Sequence, residues 1–64
     1  MSSVEKIQLS EYFGEDNGRT AQVYKEGPWF VAKLFQDGKA VDHESSFKEE
    51  VAEAAAEDWV NDTI

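Results

Sequence analysis

The chain has 64 residues, no cysteine and a formal net charge of −8. A chain of this length forms one domain and buries only about 60% of the surface that it exposes when unfolded, so its core is thin unless a partner completes it. The lack of cysteine excludes disulfides, thiolate nucleophiles and the usual structural zinc sites.

The negative charge is concentrated in the second half of the chain. Residues 1–33 carry four basic and five acidic side chains, a net charge of −1, whereas residues 34–64 carry two basic and nine acidic ones, a net charge of −7. Because nucleic-acid binding depends on lysine and arginine neutralising phosphates, we expect no direct nucleic-acid binding. No stretch has the apolar length of a signal peptide or a membrane span, so we expect a cytoplasmic protein without a membrane partner.

Alternation of apolar and polar residues predicts four strands, at about 7–13, 19–25, 29–36 and 39–44. In the first strand, Ile7, Leu9 and Phe13 fall on one side and should be half-buried. The third strand, WFVAKLFQ, is apolar on both sides and should be central, while the fourth is short and polar, as edge strands often are. We expect residues 1–6 to be disordered.

Turn residues separate the predicted strands. Asn17-Gly18 and Asp37-Gly38 are dipeptides that accept positive φ at both central positions of a type I′ turn, and Gly27-Pro28 ends the second strand. These turns predict an antiparallel meander. A two-residue loop at Asp37-Gly38 sets the register of the last hairpin, which pairs Phe35 with Ala40, Leu34 with Val41 and Lys33 with Asp42.

The periodicity changes at Ser46. Ser46 and Glu49 fit a capping box, which predicts a helix over residues 47–60. An apolar stripe along this helix contains Phe47, Val51, Ala54, Ala55 and Trp59, with Ala52 and Ala56 at its border, and the acids Glu49, Glu50, Glu53 and Glu57 line the opposite side. We therefore predict an α+β fold, in which a three- to four-stranded antiparallel β-meander is followed by one C-terminal amphipathic helix packed on one sheet face.

A single helix covers only one face of such a sheet. The predicted register puts Phe30, Ala32, Leu34 and Val41 on one face and Trp29, Val31, Phe35 and Ala40 on the other. Either choice of face leaves large apolar side chains uncovered, and exposed apolar patches of that kind often mark interfaces.

The sequence contains no pattern typical of an active site. His43 stands between Asp42 and Glu44 without further nitrogen or sulfur ligands, and GEDNG lacks the spacing of a calcium loop. A nucleophile with its base and a phosphate-binding glycine loop are also missing. We therefore predict a non-enzyme with no catalytic residue, no metal site and no cofactor.

Two groups of residues are candidates for binding a partner. One is the acidic side of the helix, for which the alternative is a solvated face that helps solubility; the other is the apolar row of the third strand, for which the alternatives are core packing and self-association. The candidate residues are Glu49, Glu50, Glu53, Glu57, Asp58, Trp29, Val31 and Phe35.

Residues 29–60 resemble short acidic accessory proteins of tailed bacteriophages, particularly those that infect marine cyanobacteria. The matching positions form an Asp-Gly-Lys hairpin turn and an acidic helix that ends in Glu-Asp-Trp: Asp37, Gly38, Lys39, Phe47, Glu57, Asp58 and Trp59. The resemblance implies a protein that binds a host protein and redirects or inhibits it. The element order is also similar to the small DNA-binding domains of the integrase and plant AP2 type, but those bind DNA through a basic sheet, which this chain lacks.

Three functions follow from these observations. The first is an acidic protein-binding module that binds a basic surface of a partner protein through the helix acids and nearby aromatics. The second is a nucleic-acid mimic, whose carboxylates imitate phosphates and occlude a DNA-binding protein. The third is a homodimer in which two sheets pair by their uncovered faces, with no further activity.

Overall fold

The computed structural model describes residues 6–62, and the expected disorder of residues 1–6 lies outside this range except at Lys6, which is the first residue of the first strand. The described chain is one four-stranded antiparallel sheet in the order β1-β2-β3-β4, followed by one helix on a sheet face. This architecture confirms the predicted α+β meander, with four strands rather than three. The elements are β1 (Lys6–Phe13), β2 (Arg19–Glu26), β3 (Trp29–Gln36), β4 (Lys39–Ser46) and α1 (Glu49–Val60).

The core between the sheet and α1 is built of small side chains. Val23 is the largest fully buried one, and the core consists of Ala21, Val23, Ala32, Leu34, Ala52, Ala56 and Val60. Alanines facing each other let the helix axis approach the sheet closely. The large aromatic side chains are therefore either at the border of this core or outside it.

The helix covers the sheet face that carries Ala32 and Leu34. Side chains alternate between faces along a strand, so Trp29, Val31 and Phe35 lie on the opposite face. We call this the uncovered face, and its apolar members are Phe13, Tyr24, Trp29, Val31, Phe35, Ala40 and Val41. The question that the sequence left open, which face the helix covers, is thus settled.

The β3–β4 hairpin has the predicted turn but only part of the predicted register. Asp37 and Gly38 both have positive φ, 54° and 85°, as a type I′ turn requires. Phe35 pairs with Ala40 as expected, but a β-bulge at Val41 shifts the following pairs, so Leu34 pairs with Asp42 and Lys33 with His43. The predicted pairs beyond Phe35 are therefore wrong. Because of the bulge, Val41 lines a depression on the uncovered face instead of joining Leu34 on the covered one.

A second bulge, at Leu9, changes the expected pattern of β1. The pairing moves from Gln8 with Tyr24 to Ser10 with Val23, and the extra residue reverses the alternation. Ile7 and Phe13 consequently lie on different faces, and both are exposed. The prediction that Ile7, Leu9 and Phe13 form one half-buried side is wrong, because the residues of β1 that face the helix are Ser10 and Tyr12.

The β1–β2 connection is a five-residue loop and not a tight turn at Asn17-Gly18. Positive φ occurs at Asp16 and Gly18, whereas Asn17 uses its side chain, which accepts a hydrogen bond from the Arg19 amide at 3.0 Å. The strands predicted at about 7–13 and 19–25 leave this five-residue loop between them, but Asn17 does not have the positive φ that the Asn17-Gly18 dipeptide was expected to accept.

Helix α1 begins at Glu49, two residues later than predicted. Ser45 and Ser46 pair with Val31 and Phe30, so they extend β4 beyond residue 44. The Ser46 hydroxyl accepts a hydrogen bond from the Lys48 amide at 3.1 Å, and Lys48 is the N-cap without a side-chain cap. The predicted capping box is thus not formed, because strand pairing holds Ser46 outside the helix.

The buried side of α1 is narrower than the predicted stripe and rotated from it. Ala52, Ala56 and Val60 are buried, whereas Val51 and Ala54, which the prediction placed in the stripe, are exposed. Phe47 precedes the helix and packs on the Trp29 ring, with centroids 4.0 Å apart. Within residues 6–62, no helix has the length and apolar character to cross a membrane.

Candidate interaction surfaces

The two predicted groups of binding residues lie on opposite sides of the sheet. The acids belong to α1, which packs on the covered face, while Trp29, Val31 and Phe35 belong to the uncovered face. A single flat partner surface therefore cannot contact both groups at once.

Four of the five predicted helix acids are exposed. We call them the helix acids: Glu49, Glu50, Glu57 and Asp58. Both ion pairs among residues 6–62 lie elsewhere, between Lys6 and Glu26 and between Arg19 and Asp62. The helix acids thus carry a dense negative charge that faces solvent.

Glu53 differs from the helix acids because hydroxyl groups of β1 hold it. The Ser10 hydroxyl donates to one carboxylate oxygen of Glu53 at 2.6 Å, and the Tyr12 hydroxyl donates to the other. The hydrogen bond to Glu53, burial and the Glu53 charge raise the pKa of the Tyr12 hydroxyl. Glu53 therefore joins the helix to the edge strand and is not a free carboxylate.

The uncovered face exposes large apolar side chains. Phe13 is 68% exposed, Val41 53% and Trp29 41%, and Val31, Phe35 and Tyr24 are half-buried beside them. The stacked Trp29 and Phe47 rings stand at one end of this face. Apolar area of this extent outside a core of alanines, valines and one leucine is typical of a surface that a partner covers.

The charges of the uncovered face are balanced. Lys6 forms an ion pair with Glu26 at 3.7 Å, and the Lys33 ammonium lies 5.1 Å from the Tyr24 ring centre. The neighbouring Lys6 side chain, followed by burial, lowers the pKa of Lys33. Glu11 completes the set and accepts a hydrogen bond from Gln22 at 3.4 Å.

Arg19 ties the C-terminus of α1 to the sheet, a role that the sequence analysis missed. Its guanidinium lies 4.1 Å from the Trp59 ring centre and donates to the Trp59 carbonyl oxygen at 3.3 Å and to Asp62 at 2.9 Å. The side-chain amide nitrogen of Asn17 donates to the Val60 carbonyl oxygen at 3.0 Å. The last turn of α1 has no basic residue, so Arg19 supplies the positive charge that complements the helix dipole. The signal in the sequence was the single arginine next to a turn.

The part of the chain that the structure describes contains no group of three or more histidine, cysteine, aspartate or glutamate side chains placed to hold a metal ion. His43 pairs with Lys33 across the β3–β4 hairpin. Comparison with protein-family models, with curated proteins and with solved structures finds no match to this chain.

Proposed function

We propose that this protein is a non-enzymatic protein-binding module and that its binding surface is the uncovered face. The observation that carries the proposal is the position of the large apolar side chains, which lie outside a core whose largest fully buried member is Val23. Burial of apolar surface contributes about 25 cal/mol per Å², so an aromatic face left in water represents unused stabilisation. Binding of a partner protein would bury this face and gain that stabilisation.

The aromatic content of this face also supports the proposal. Trp29 and Phe47 form a stacked pair at its edge, and Phe35 and Tyr24 lie closer to its centre. Aromatic side chains are enriched among the residues that dominate binding energy at protein interfaces. Polar groups between them, such as Gln22 and Lys33, would supply hydrogen bonds to a partner.

Site-specific photocrosslinking tests this proposal. A photoreactive amino acid replaces Val41 on the uncovered face, and a matched variant carries it at Val51, which is 44% exposed on α1 on the other side of the molecule. In lysate of the native host, the residue-41 variant should form a defined protein adduct and the residue-51 variant should not. No adduct at residue 41, or equal adducts at both positions, would contradict the proposal.

The resemblance to phage accessory proteins adds a biological setting to the proposal. If the chain is phage-encoded, it would act in the cytoplasm of the host cell, and its partner would be a host protein that it redirects or inhibits.

The helix acids support a second candidate function, binding of a basic partner surface, of which mimicry of nucleic acid is the sharpest version. Within residues 6–62 the helix acids are exposed and take part in neither ion pair. The Glu53 carboxylate, by contrast, is hydrogen-bonded to β1. Replacing Glu49, Glu50 and Glu57 by glutamine should abolish this binding, as should about 0.5 M salt, which shortens the Debye length to below about 5 Å. Glu53 must be left intact because its substitution would disturb packing. Retained binding in the triple variant would exclude mimicry.

A further inference from the structure

We infer that the protein that covers the uncovered face is a second copy of this chain, so that two sheets pack face to face about a two-fold axis. This inference rests on the proposed function, because it names the partner of the same surface. Four observations carry it: the charge of the face, its area, the protection of the sheet edges and the pairing that a two-fold axis produces.

The charge of the face favours a second copy. The uncovered face carries Lys6, Lys33, Glu11 and Glu26, which sum to zero. Residues 6–62 carry six basic and thirteen acidic side chains, so the remaining surface holds four basic and eleven acidic ones, a net charge of −7. Face-to-face packing brings the neutral faces together and keeps the negatively charged remainder of the two molecules apart, whereas a basic partner of a different kind would be drawn to the helix side.

The area of the face is sufficient for a small dimer. Four strands about 4.8 Å apart and eight residues of about 3.4 Å each give a face of roughly 500 Å². Two copies would bury roughly 1,000 Å² in total, which is about the lower limit for a specific interface. The molecular surface is 4561 Å², so each copy would cover about a tenth of its surface, as small proteins in stable complexes do.

The sheet edges are protected against pairing, which leaves the face as the route to association. Bulges at Leu9 in β1 and at Val41 in β4 interrupt the two edge ladders. Strand β4 also carries Asp42, His43 and Glu44 in succession. Bulges and charged residues are the means by which edge strands avoid pairing with another chain.

A two-fold axis that runs parallel to the strands, between β2 and β3, gives complementary contacts. Packed sheets keep their strands within about 30° of each other, so β1 then lies over β4 of the second copy and β2 over its β3. Residues that pair with one another across the four strands form a row, and in this arrangement each row lies over the same row of the second copy. Glu11 therefore faces His43 of the second copy, and Gln22 faces its Lys33. The axis perpendicular to the strands would instead place Lys33 over Val31 of the second copy. The first arrangement therefore gives Glu11, Gln22 and Lys33 polar partners in the second copy.

Sedimentation equilibrium of the purified full chain tests the inference, with two Val→Asp variants as a matched pair. Val41→Asp places a carboxylate in the uncovered face, and Val51→Asp makes the same change at similar exposure on α1. The wild-type chain and Val51→Asp should be dimers, and Val41→Asp should weaken the dimer by at least about tenfold in Kd. A monomeric wild-type chain at high concentration, or equal weakening by both variants, would overturn the inference.

A second variant and the crosslinking result separate the possible failures. Phe13→Ser changes a residue that is exposed at the end of β1, so the monomer should keep its circular dichroism spectrum while its dimer weakens as in Val41→Asp. An unchanged dimer in both folded variants would refute the inference. If the wild-type chain is monomeric but the residue-41 crosslinker captures a different protein, the second-copy inference fails and the proposed function stands; if it captures nothing, both fail.

Discussion

The Arg19 guanidinium stacks on the Trp59 ring, 4.1 Å from its centre, and also donates to the Trp59 carbonyl oxygen. One side chain thus contacts both the aromatic ring and the backbone of the last helical turn. Trp59 in turn donates from its indole nitrogen to the Phe35 carbonyl oxygen at 2.9 Å. These contacts fix the C-terminal end of α1 on the sheet, where the core side chain that the last helical turn contributes is Val60.

Arg19→Ala should lower the free energy of unfolding by about 2–3 kcal/mol. The variant loses a cation–π contact and hydrogen bonds to the helix C-terminus from a largely buried side chain. Arg19→Lys should recover only about half of this loss, because an ammonium keeps the charge but not the planar donor fork. Chemical denaturation measures both, with Lys25→Ala as the control, since the Lys25 ammonium is 5.9 Å from its ring partner. Equal stability of Arg19→Lys and wild type would show that charge alone matters.

Tyr12→Phe should lower the free energy of unfolding by about 1 kcal/mol at neutral pH. The variant should also lack the decrease in stability that the wild-type chain shows at alkaline pH. The folded-state pKa of Tyr12 is raised above its unfolded value of about 10, so its contribution is complete below pH ~10 and is lost as pH rises through the folded pKa. Denaturation at a series of alkaline pH values should show the wild-type chain converging on the variant. Tyr24→Phe, which removes a hydroxyl that donates to the neutral Gln22, is the matched control. A constant difference across this pH range would contradict the role of the Tyr12 proton.

Ala56→Leu should destabilise the protein by about 1–3 kcal/mol, because Ala56 is fully buried where the helix approaches the sheet closely. The matched control is Ala54→Leu, at an exposed position in the same helix, which should change stability by less than about 0.5 kcal/mol. Thermal unfolding measures both variants. Equal effects of the two substitutions on stability would contradict the close approach of the helix to the sheet at Ala56.

The sequence predicted the fold because its strongest signals are local. The Asp37-Gly38 turn and the apolar strand over residues 29–36 occur where they were expected, and the alanine-rich helix ends at Val60 as predicted although it begins two residues later. Each signal depends on residues within one element or one turn, so the order of elements could be deduced without knowledge of their packing.

The errors concern how neighbouring strands pair. The bulges at Leu9 and Val41 are properties of two strands together, and alternation within one strand does not reveal them. The Ser46 capping pattern fails for the same reason, since pairing with Phe30 keeps Ser46 in β4. As a result, the helix begins later than predicted, and the sheet faces predicted for Val41 and Phe13 are wrong.

The sequence predicted which residues form the candidate surfaces but not how these residues are arranged in space. Periodicity identified the acids and the apolar row, yet it placed Glu53 among the solvated acids because it could not reveal the hydroxyl groups of Ser10 and Tyr12 opposite it. The role of Arg19 likewise depends on contacts with residues about 40 positions away along the chain. Such contacts are tertiary and have no local signature.

An isotope-filtered nuclear Overhauser experiment on a mixture of labelled and unlabelled chains shows whether a second copy covers the uncovered face. Face-to-face packing of the two sheets should give intermolecular contacts between the Phe13 ring and the Ala40 methyl group and between Tyr24 and Val31, with none to Val51 on α1. Intermolecular contacts confined to α1, or none at concentrations where the chain sediments as a dimer, would contradict it.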